Sequence, residues 1–275
     1  MPQMTQQDFE RQNNVIKANM SRIKHKLVVL SGKGGVGKTT IAVNLAYALS
    51  LRGRKVGILD IDIHGPNIAK MLGIESRTIE VTESGIEPVK VAANLVAVSM
   101  ALIGSDPQQA VIWRGPAKAA AIRQFLSDVN WGALDYLIID SPPGTGDEPL
   151  CACQAIPDID GVVIVTTPQD VAILDAVKSI RFARAIGVPV VGVIENMSGM
   201  ICPHCKAEIP IFKKGGAEKI ARESAITFLG RVMFDPETVE LGDQGKPFVS
   251  FSANPLHSQA FEAIVEKIRQ SLKEE

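Results

Sequence analysis

Short apolar runs alternate along the chain with longer segments of helical pattern. The runs occupy residues 26–31, 56–59, 95–98, 136–139, 161–165 and 188–194, and many of their side chains are β-branched. Such uninterrupted runs are typical of parallel strands that are covered on both faces. The segments between them, such as residues 40–49, 116–129 and 173–186, have the length and spacing of helices. This alternation predicts an α/β fold built on a doubly wound, mostly parallel sheet.

Three stretches fall outside that alternation. Residues 1–25 are polar with scattered apolar positions, which predicts an N-terminal helical arm ahead of a single domain over residues 26–275. Residues 77–94 alternate polar and apolar side chains around Ser84 and Gly85, which indicates a short hairpin insertion. Residues 257–273 place their apolar side chains on one helical face. A helix packed on the domain is favoured over one that lies on a membrane, because the polar face is not strongly basic.

The first apolar run leads into a glycine-rich loop. Its sequence from Gly32 to Thr39, GKGGVGKT, matches the pattern G-x-x-x-x-G-K-[ST], and a helical segment follows it. Backbone N–H groups of such a loop surround phosphate oxygens, and the helix N-terminus adds partial positive charge. Lys38 is expected to reach the β- and γ-phosphates of ATP, and the Thr39 hydroxyl is expected to bind Mg²⁺. The predicted nucleotide-binding residues of this segment are Gly32, Lys33, Gly34, Gly35, Val36, Gly37, Lys38, Thr39 and Thr40.

Acidic residues follow two of the predicted strands. Asp60 and Asp62 come after residues 56–59, and Asp140 comes after residues 136–139. Ligands of a parallel α/β sheet bind at the carboxyl ends of its strands, so these side chains are expected at the phosphate site. Asp140 is predicted to hold Mg²⁺, directly or through water, while Asp62 orients the attacking water with support from Asp60. The alternative for each aspartate is a turn or a helix cap.

Composition and charge narrow the function classes. The chain has 275 residues, of which 46% are hydrophobic, and a formal net charge of -1, which favours a globular protein and gives no sign of nucleic-acid binding. No apolar stretch approaches the roughly 18 residues that a transmembrane helix needs, and the N-terminus lacks the apolar stretch of a signal peptide. We therefore expect a cytoplasmic protein that binds neither nucleic acid nor membrane. Its four cysteines should be reduced there, which makes them candidates for metal binding or redox chemistry.

Two of the cysteines, Cys202 and Cys205, form a C-x-x-C motif. Two thiolates on one tight turn can hold a metal ion or one edge of a cluster, but they cannot complete a four-sulfur site alone. A two-fold dimer would bring two such turns together around iron–sulfur or zinc. A thioredoxin-like redox pair is a third alternative, although the motif lacks the strand-to-helix setting. Cys151 and Cys153 lie among apolar residues and are expected to be small buried side chains.

Lys33 makes the glycine loop more specific. The general pattern does not require a second lysine after the first glycine, but this loop resembles the deviant P-loop of a group of ATPases that have one. The group includes MinD, ParA, the arsenite-pump ATPase and the nitrogenase iron protein. The resemblance implies that Lys33 reaches across a dimer to the partner's nucleotide, where it adds positive charge to a negative transition state. The alternative is a solvated surface lysine.

Several motifs together resemble those of the Mrp/ApbC iron–sulfur cluster carrier ATPases. Besides the glycine loop they are DIDIHGP at residues 60–66, WRGP at 113–116, DSPPGTGD at 140–147, ENMS at 195–198, CPHC at 202–205 and GDQGKPF at 242–248. The resemblance runs in motif order from about residue 20 to about residue 255. It implies a P-loop NTPase fold of the MinD and nitrogenase-iron-protein type. The extra N-terminal domain of longer members and the cysteine-rich N-terminus of eukaryotic relatives are missing, which indicates the short form.

The resemblance also implies an activity, cofactors and partners. We expect a homodimer that slowly hydrolyses ATP with Mg²⁺, holds a [4Fe–4S] cluster between its subunits and transfers it to apo iron–sulfur client proteins. Cys202 and Cys205 would hold the cluster, Asn196 would recognise the base, and Asp235 and Pro236 would lie near that base. The expected catalytic residues are Lys33, Lys38, Asp60 and Asp62. Two rival interpretations are a MinD/ParA-like positioning ATPase, which leaves the C-x-x-C motif unexplained, and a zinc-stapled dimeric ATPase with an interaction role.

Overall fold

The computed structural model of the protein describes residues 5–63, 65–102, 115–202 and 204–274. Its strands are β1 (Ile23–Leu30), β2 (Val56–Asp60), β3 (Glu80–Thr82), β4 (Gly85–Glu87), β5 (Val89–Ala92), β6 (Leu95–Ser99), β7 (Leu134–Asp140), β8 (Gly161–Thr166), β9 (Val190–Glu195), β10 (Met200–Ile201), β11 (Glu208–Ile209) and β12 (Phe228–Arg231). The central sheet has the spatial order β12-β9-β8-β1-β7-β2-β6-β5. Within the described ranges of this sheet, β5 alone runs antiparallel to its neighbour. The prediction of a mostly parallel sheet is therefore confirmed.

Helices connect these strands. They are α1 (Gln6–Met20), α2 (Lys38–Leu51), α3 (Ile68–Met71), α4 (Gly115–Asp128), α5 (Asp147–Ala155), α6 (Asp170–Ala185), α7 (Gly216–Glu223), α8 (Pro236–Asp243), α9 (Phe248–Phe251) and α10 (Pro255–Ser271), with a 3₁₀ turn at Met100–Leu102. The chain leaves β1 toward β2 on one side and later returns to β8 on the other side. Because parallel crossovers are right-handed, connections in opposite directions place helices on opposite faces of the sheet. This is the doubly wound arrangement that the sequence predicts.

The middle strands are buried along most of their length. Every residue of β2 and of β8 is buried, and five consecutive residues of β1 from Lys26 to Leu30 are buried as well. Their aliphatic side chains form one hydrophobic core with the inner faces of the helices. A sheet covered on both faces exposes its functional groups at the strand ends, which is where β1, β2 and β7 finish side by side.

The three stretches outside the strand–helix alternation also have defined positions. Helix α1 begins at a Thr5–Asp8 capping box and buries Ile16 and Met20 beside α4. The sequence pattern placed residues 23–25 in the N-terminal arm, but they form the start of β1. The hairpin predicted within residues 77–94 is β3–β4, and β5 extends it onto the main sheet. Helix α10 buries four apolar side chains against the domain, as favoured: Phe261, Ile264, Val265 and Ile268. Four motif residues lie outside the described ranges: His64, Trp113, Arg114 and Pro203.

Candidate nucleotide and metal site

The glycine-rich loop connects β1 to α2 at the carboxyl edge of the sheet. Gly37 forms the N-cap of α2 with φ of 80°, a left-handed conformation that residues with a side chain rarely adopt. A β-carbon at Gly37 would lie 2.2 Å from Asn196 Nδ2, and one at Gly32 would lie 2.2 Å from the backbone oxygen of Asp175. Only glycine fits both positions without displacing a neighbour. The first N–H groups of α2 receive no side-chain cap, so they are available to an anion.

The loop forms one wall of a cavity of about 460 Å³, a volume typical of small-molecule sites. Met197, Phe234, Phe248 and residues of helix α8 also line the cavity. Most of the predicted nucleotide-binding residues line it: Lys33, Gly34, Gly35, Val36, Gly37, Lys38, Thr39, Thr40 and Asn196. Gly32 lies instead behind the loop, where it allows α6 to approach closely.

Lys38, Thr39 and Asp140 meet at the closed end of the loop. Lys38 Nζ donates to Asp140 Oδ1 at 2.5 Å, and Thr39 Oγ1 donates to Asp140 Oδ2 at 2.6 Å. Burial raises the pKa of Asp140, and the Lys38 ammonium opposes that shift. A hydroxyl oxygen beside a carboxylate oxygen is the hard donor set that Mg²⁺ prefers. The three residues therefore fit the predicted magnesium site and phosphate-binding lysine.

Asp60 and Asp62 have different surroundings although they are two positions apart. Asp60 is fully buried and accepts hydrogen bonds from the backbone N–H of Asp62 and of Ile68 and from the Ser99 hydroxyl. Burial, and then the charge of Asp140, raise the pKa of Asp60 to about 8. Asp62 is half-buried and lines the cavity. The geometry thus suits Asp62 for contact with a water molecule and Asp60 for holding the Asp62 loop in place.

Lys33 lines the same cavity and is half-buried. Its backbone oxygen accepts a hydrogen bond from the Ser31 hydroxyl at 3.0 Å, which holds the start of the loop. Within the described part of the chain, its ammonium group has no carboxylate partner within ion-pair distance. Lys33 is therefore free to bind an anion, whether in its own cavity or in a neighbouring subunit.

The residues expected at the base divide into two groups. Asn196 lines the cavity, and its side-chain Nδ2 donates to the Val36 backbone oxygen at 2.9 Å. Asp235 and Pro236 do not line the cavity. The Asp235 carboxylate caps helix α8 at the N–H of Glu237 and accepts from Asn254 Nδ2. Its neighbours Phe234 and Thr238 line the cavity instead.

The cysteine motif lies on the turn between β10 and β11. The backbone N–H of Cys202 donates to the Ala207 oxygen at 2.9 Å, and the N–H of Lys206 donates to the Cys202 oxygen at 3.0 Å. Cys202 is half-buried and Cys205 is exposed. Hydrogen bonds from the backbone N–H groups of Cys205 and His204 lower the pKa of the Cys202 thiol, because they stabilise the thiolate. This is the environment of a thiol that binds metal.

The other two cysteines lie on α5 and have the opposite environment. Burial raises the pKa of both thiols, that of Cys153 to about 12. Cys153 is buried and Cys151 is half-buried, which agrees with the expectation that they pack among apolar residues. Among the residues that the structure describes, no third histidine, cysteine or carboxylate completes a metal site with Cys202 and Cys205. One chain therefore offers two cysteine ligands at the turn.

Sequence reasoning gave no role to Glu195 and Ser198, although both belong to the quoted ENMS motif. Glu195 is fully buried at the end of β9, and Ser198 is 1% exposed. A charged residue that ends an otherwise apolar strand is the signal that could have identified Glu195. The Ser198 hydroxyl donates to Glu195 Oε1 between the cavity and the cysteine turn.

Comparisons with known proteins agree with this geometry. The family profile described as "ParA: NUBPL iron-transfer P-loop NTPase" matches residues 22–269. The chain is 51% identical to the iron-sulfur cluster carrier protein of Methanocaldococcus jannaschii, over 96% of this chain and 90% of the relative. It is 48% identical to the protein of the same name from Methanococcus maripaludis, over 98% and 93% of the two chains.

Solved structures show the same fold. One is a nucleotide-binding protein of Archaeoglobus fulgidus in complex with ADP, in which cobalt was found. It superposes with a TM-score of 0.76 at 35% identity, over 89% of this chain and 98% of that chain. The cell division ATPase MinD of Pyrococcus furiosus superposes with a TM-score of 0.64 at 22% identity, over 90% and 98% of the two chains, which shows a shared fold. None of the described helices is long and apolar enough to cross a membrane.

Proposed function

Because the chain belongs to the family of iron-transfer P-loop NTPases, we propose that it is an ATP-hydrolysing carrier of iron–sulfur clusters. In this proposal the cavity binds ATP, the cluster is the cargo, and apo iron–sulfur proteins receive it. The observation that carries the proposal is the C-x-x-C turn, where backbone N–H groups stabilise the Cys202 thiolate beside an exposed Cys205. The relatives of the same name, which align along almost the whole chain, support it.

The number of ligands supports a homodimer. A [4Fe–4S] cluster is bound by four cysteine thiolates, and the described residues of one chain offer two at this turn. Two turns related by a two-fold axis would supply the set. The cluster would then lie at a subunit boundary, beside the exposed Cys205 of each chain.

The nucleotide side of the proposal follows from the cavity. Thr39 and Asp140 would hold Mg²⁺, and Lys38, released from Asp140, would bind the β- and γ-phosphates. Asp62 would orient the attacking water, and Asp60 would hold the loop that carries Asp62. Lys33 would bind the nucleotide of the partner subunit, which its unpaired ammonium group permits.

Anaerobic reconstitution with iron and sulfide tests the cluster assignment. We expect about four irons per dimer and a visible absorption band of an iron–sulfur cluster. The loaded protein should then restore activity to an apo enzyme that needs a [4Fe–4S] cluster. Cys202→Ser should lose the cluster, because it removes one thiolate from each turn. Cys153→Ser is the matched control and should keep the cluster, since that thiol is buried on α5.

The same experiment separates the rival functions. About two irons per dimer would indicate a [2Fe–2S] centre instead. Zinc alone, bound under strictly anaerobic conditions, would contradict the carrier function and favour a zinc-stapled dimer. A protein that hydrolyses ATP but takes up neither metal would favour a positioning ATPase.

A further inference from the structure

One buried carboxylate holds both ends of the segment that carries the two cysteines. Glu195 Oε1 accepts from the Ser198 hydroxyl at 2.6 Å and from the Gly215 N–H at 3.0 Å, and Oε2 accepts from the Ala217 N–H at 2.8 Å. Ser198 precedes the β10–β11 hairpin in the chain, and Gly215 follows it. Residues 199–214, with Cys202 and Cys205 among them, therefore begin and end at the same side chain.

The charge of this carboxylate is well stabilised. Glu195 has no exposed surface, and its pair of oxygens faces the first N–H groups of helix α7. The Arg231 guanidinium lies 3.5 Å from Oε1 and supplies the opposite charge. Hydrogen bonds to a buried charge are among the stronger ones in a protein, so these connections resist separation.

The same segment lies against the nucleotide cavity. Asn196 and Met197 line the cavity, and they directly follow Glu195 in the chain. Beyond them, the Ser198 N–H donates to the Val232 oxygen at 3.0 Å, and the Phe234 N–H donates to the Gly199 oxygen at 2.8 Å. Val232 and Phe234 also line the cavity. A nucleotide that moves this wall therefore moves the chain on which Ser198 lies.

Met197 links the cavity wall to Ser198. Its φ of 54° lies in the left-handed region, which is sparsely populated by residues other than glycine. Such a residue is held there by its surroundings, and here the surroundings are the cavity wall and the Glu195 contacts.

We propose that Glu195 is a positioning residue that couples occupancy of the nucleotide cavity to the geometry of the cysteine turn, through its hydrogen bond to Ser198. This inference rests on the proposed function, because the iron–sulfur cluster of that function is what the cysteine turn would hold or release. Thermodynamic linkage makes this coupling reciprocal. If the nucleotide changes the conformation of the cysteine turn, a ligand that fixes that conformation changes the affinity for the nucleotide. Glu195 and Ser198 touch neither the nucleotide nor the metal in this mechanism.

The test measures how a bound nucleotide changes the reactivity of the cysteine turn. Apo protein is treated with iodoacetamide, with and without Mg²⁺ and a non-hydrolysable ATP analogue, and the alkylation rate of Cys202 is followed by peptide mass spectrometry. In wild type we expect the analogue to change this rate by about fivefold or more. In Ser198→Ala, which removes only the hydroxyl bonded to Glu195, the change should fall to less than about twofold at analogue concentrations that saturate the cavity of the variant.

Two further variants keep the test decisive. Ser50→Ala is the matched control: Ser50 is also a buried serine, but its hydroxyl bonds to Tyr47 within α2, so it should behave as wild type. Glu195→Ala removes the acceptor of the Ser198 hydroxyl itself, so it should lose the rate change as Ser198→Ala does.

Two results would contradict the inference and leave the proposed function standing. In the first, the analogue changes the alkylation rate of Cys202 in Ser198→Ala as much as in wild type. In the second, wild type binds the analogue and the alkylation rate of Cys202 does not change. A wild type that binds no analogue would overturn the inference together with the nucleotide part of the proposed function. The cluster part is measured separately by reconstitution.

Discussion

Replacement of Asp60 by asparagine tests whether a buried carboxyl group holds a proton in the native protein. Asp60 has no exposed surface, and the strand register places it beside Asp140. Burial, and then the charge of Asp140, raise the pKa of Asp60 from 3.8 to about 8. Asparagine has nearly the same shape, and its side-chain oxygen can still accept from the Asp62 N–H or the Ser99 hydroxyl. The variant therefore removes the titration while it preserves the packing.

The sign of the effect follows from the direction of the shift. Between pH 3.8 and about pH 8 the native state keeps a proton that the unfolded state has released. Because the unfolded state binds fewer protons there, the free energy of unfolding falls by about 1.4 kcal/mol for each pH unit gained. The stabilising contribution is complete below the unfolded pKa and is lost as pH rises through the folded pKa. Asp60→Asn does not titrate, so its stability relative to wild type should rise by about 3 kcal/mol from about pH 5 to about pH 7.

Urea unfolding of the apo protein at the two pH values measures this difference. Val98→Ala is the control, because Val98 is fully buried in the neighbouring strand and carries no charge. Its loss of stability should be the same at both pH values. If the gap between Asp60→Asn and wild type were also independent of pH, Asp60 would be ionised in the native state and the reasoning from burial would be wrong.

Three further predictions concern the glycine loop. Gly37→Ala should lose nucleotide binding in a calorimetric titration, since its β-carbon would meet Asn196 Nδ2 at 2.2 Å and its φ is 80°; unchanged affinity would show that the loop rearranges. Lys38→Ala should weaken ATP binding by about a hundredfold or more, because a charged donor to the phosphates is lost; equal affinity would contradict the phosphate site. Lys33→Ala should bind ATP normally and lose most hydrolysis, as when an arginine finger worth about a thousandfold is removed. Mixing Lys33→Ala with Asp62→Ala should restore part of the hydrolysis, because one site of the heterodimer keeps both side chains; no recovery in demonstrated heterodimers would contradict action across the interface.

Features carried by neighbouring residues could be predicted from the sequence. The aliphatic runs that became β1, β2, β6, β7, β8 and β9 need no distant partner to be recognised, because a strand covered on both faces must be apolar throughout. The glycine loop and the C-x-x-C turn are equally local, since backbone conformation and ligand spacing within a few residues define them.

The roles of residues that depend on burial or on partners distant in the sequence could be assigned only from the folded structure. Lys38 and Asp140 are 102 positions apart and form an ion pair because β1 and β7 are neighbours in the sheet. Asp60 and Asp62 look alike in the sequence, yet burial assigns one to the interior and the other to the cavity. Asp235 is expected near the base, and the structure adds that its carboxylate caps α8, a contact that the sequence alone did not assign. Packing sets these distances and the local solvation, and neither is encoded in the spacing of residues along the chain.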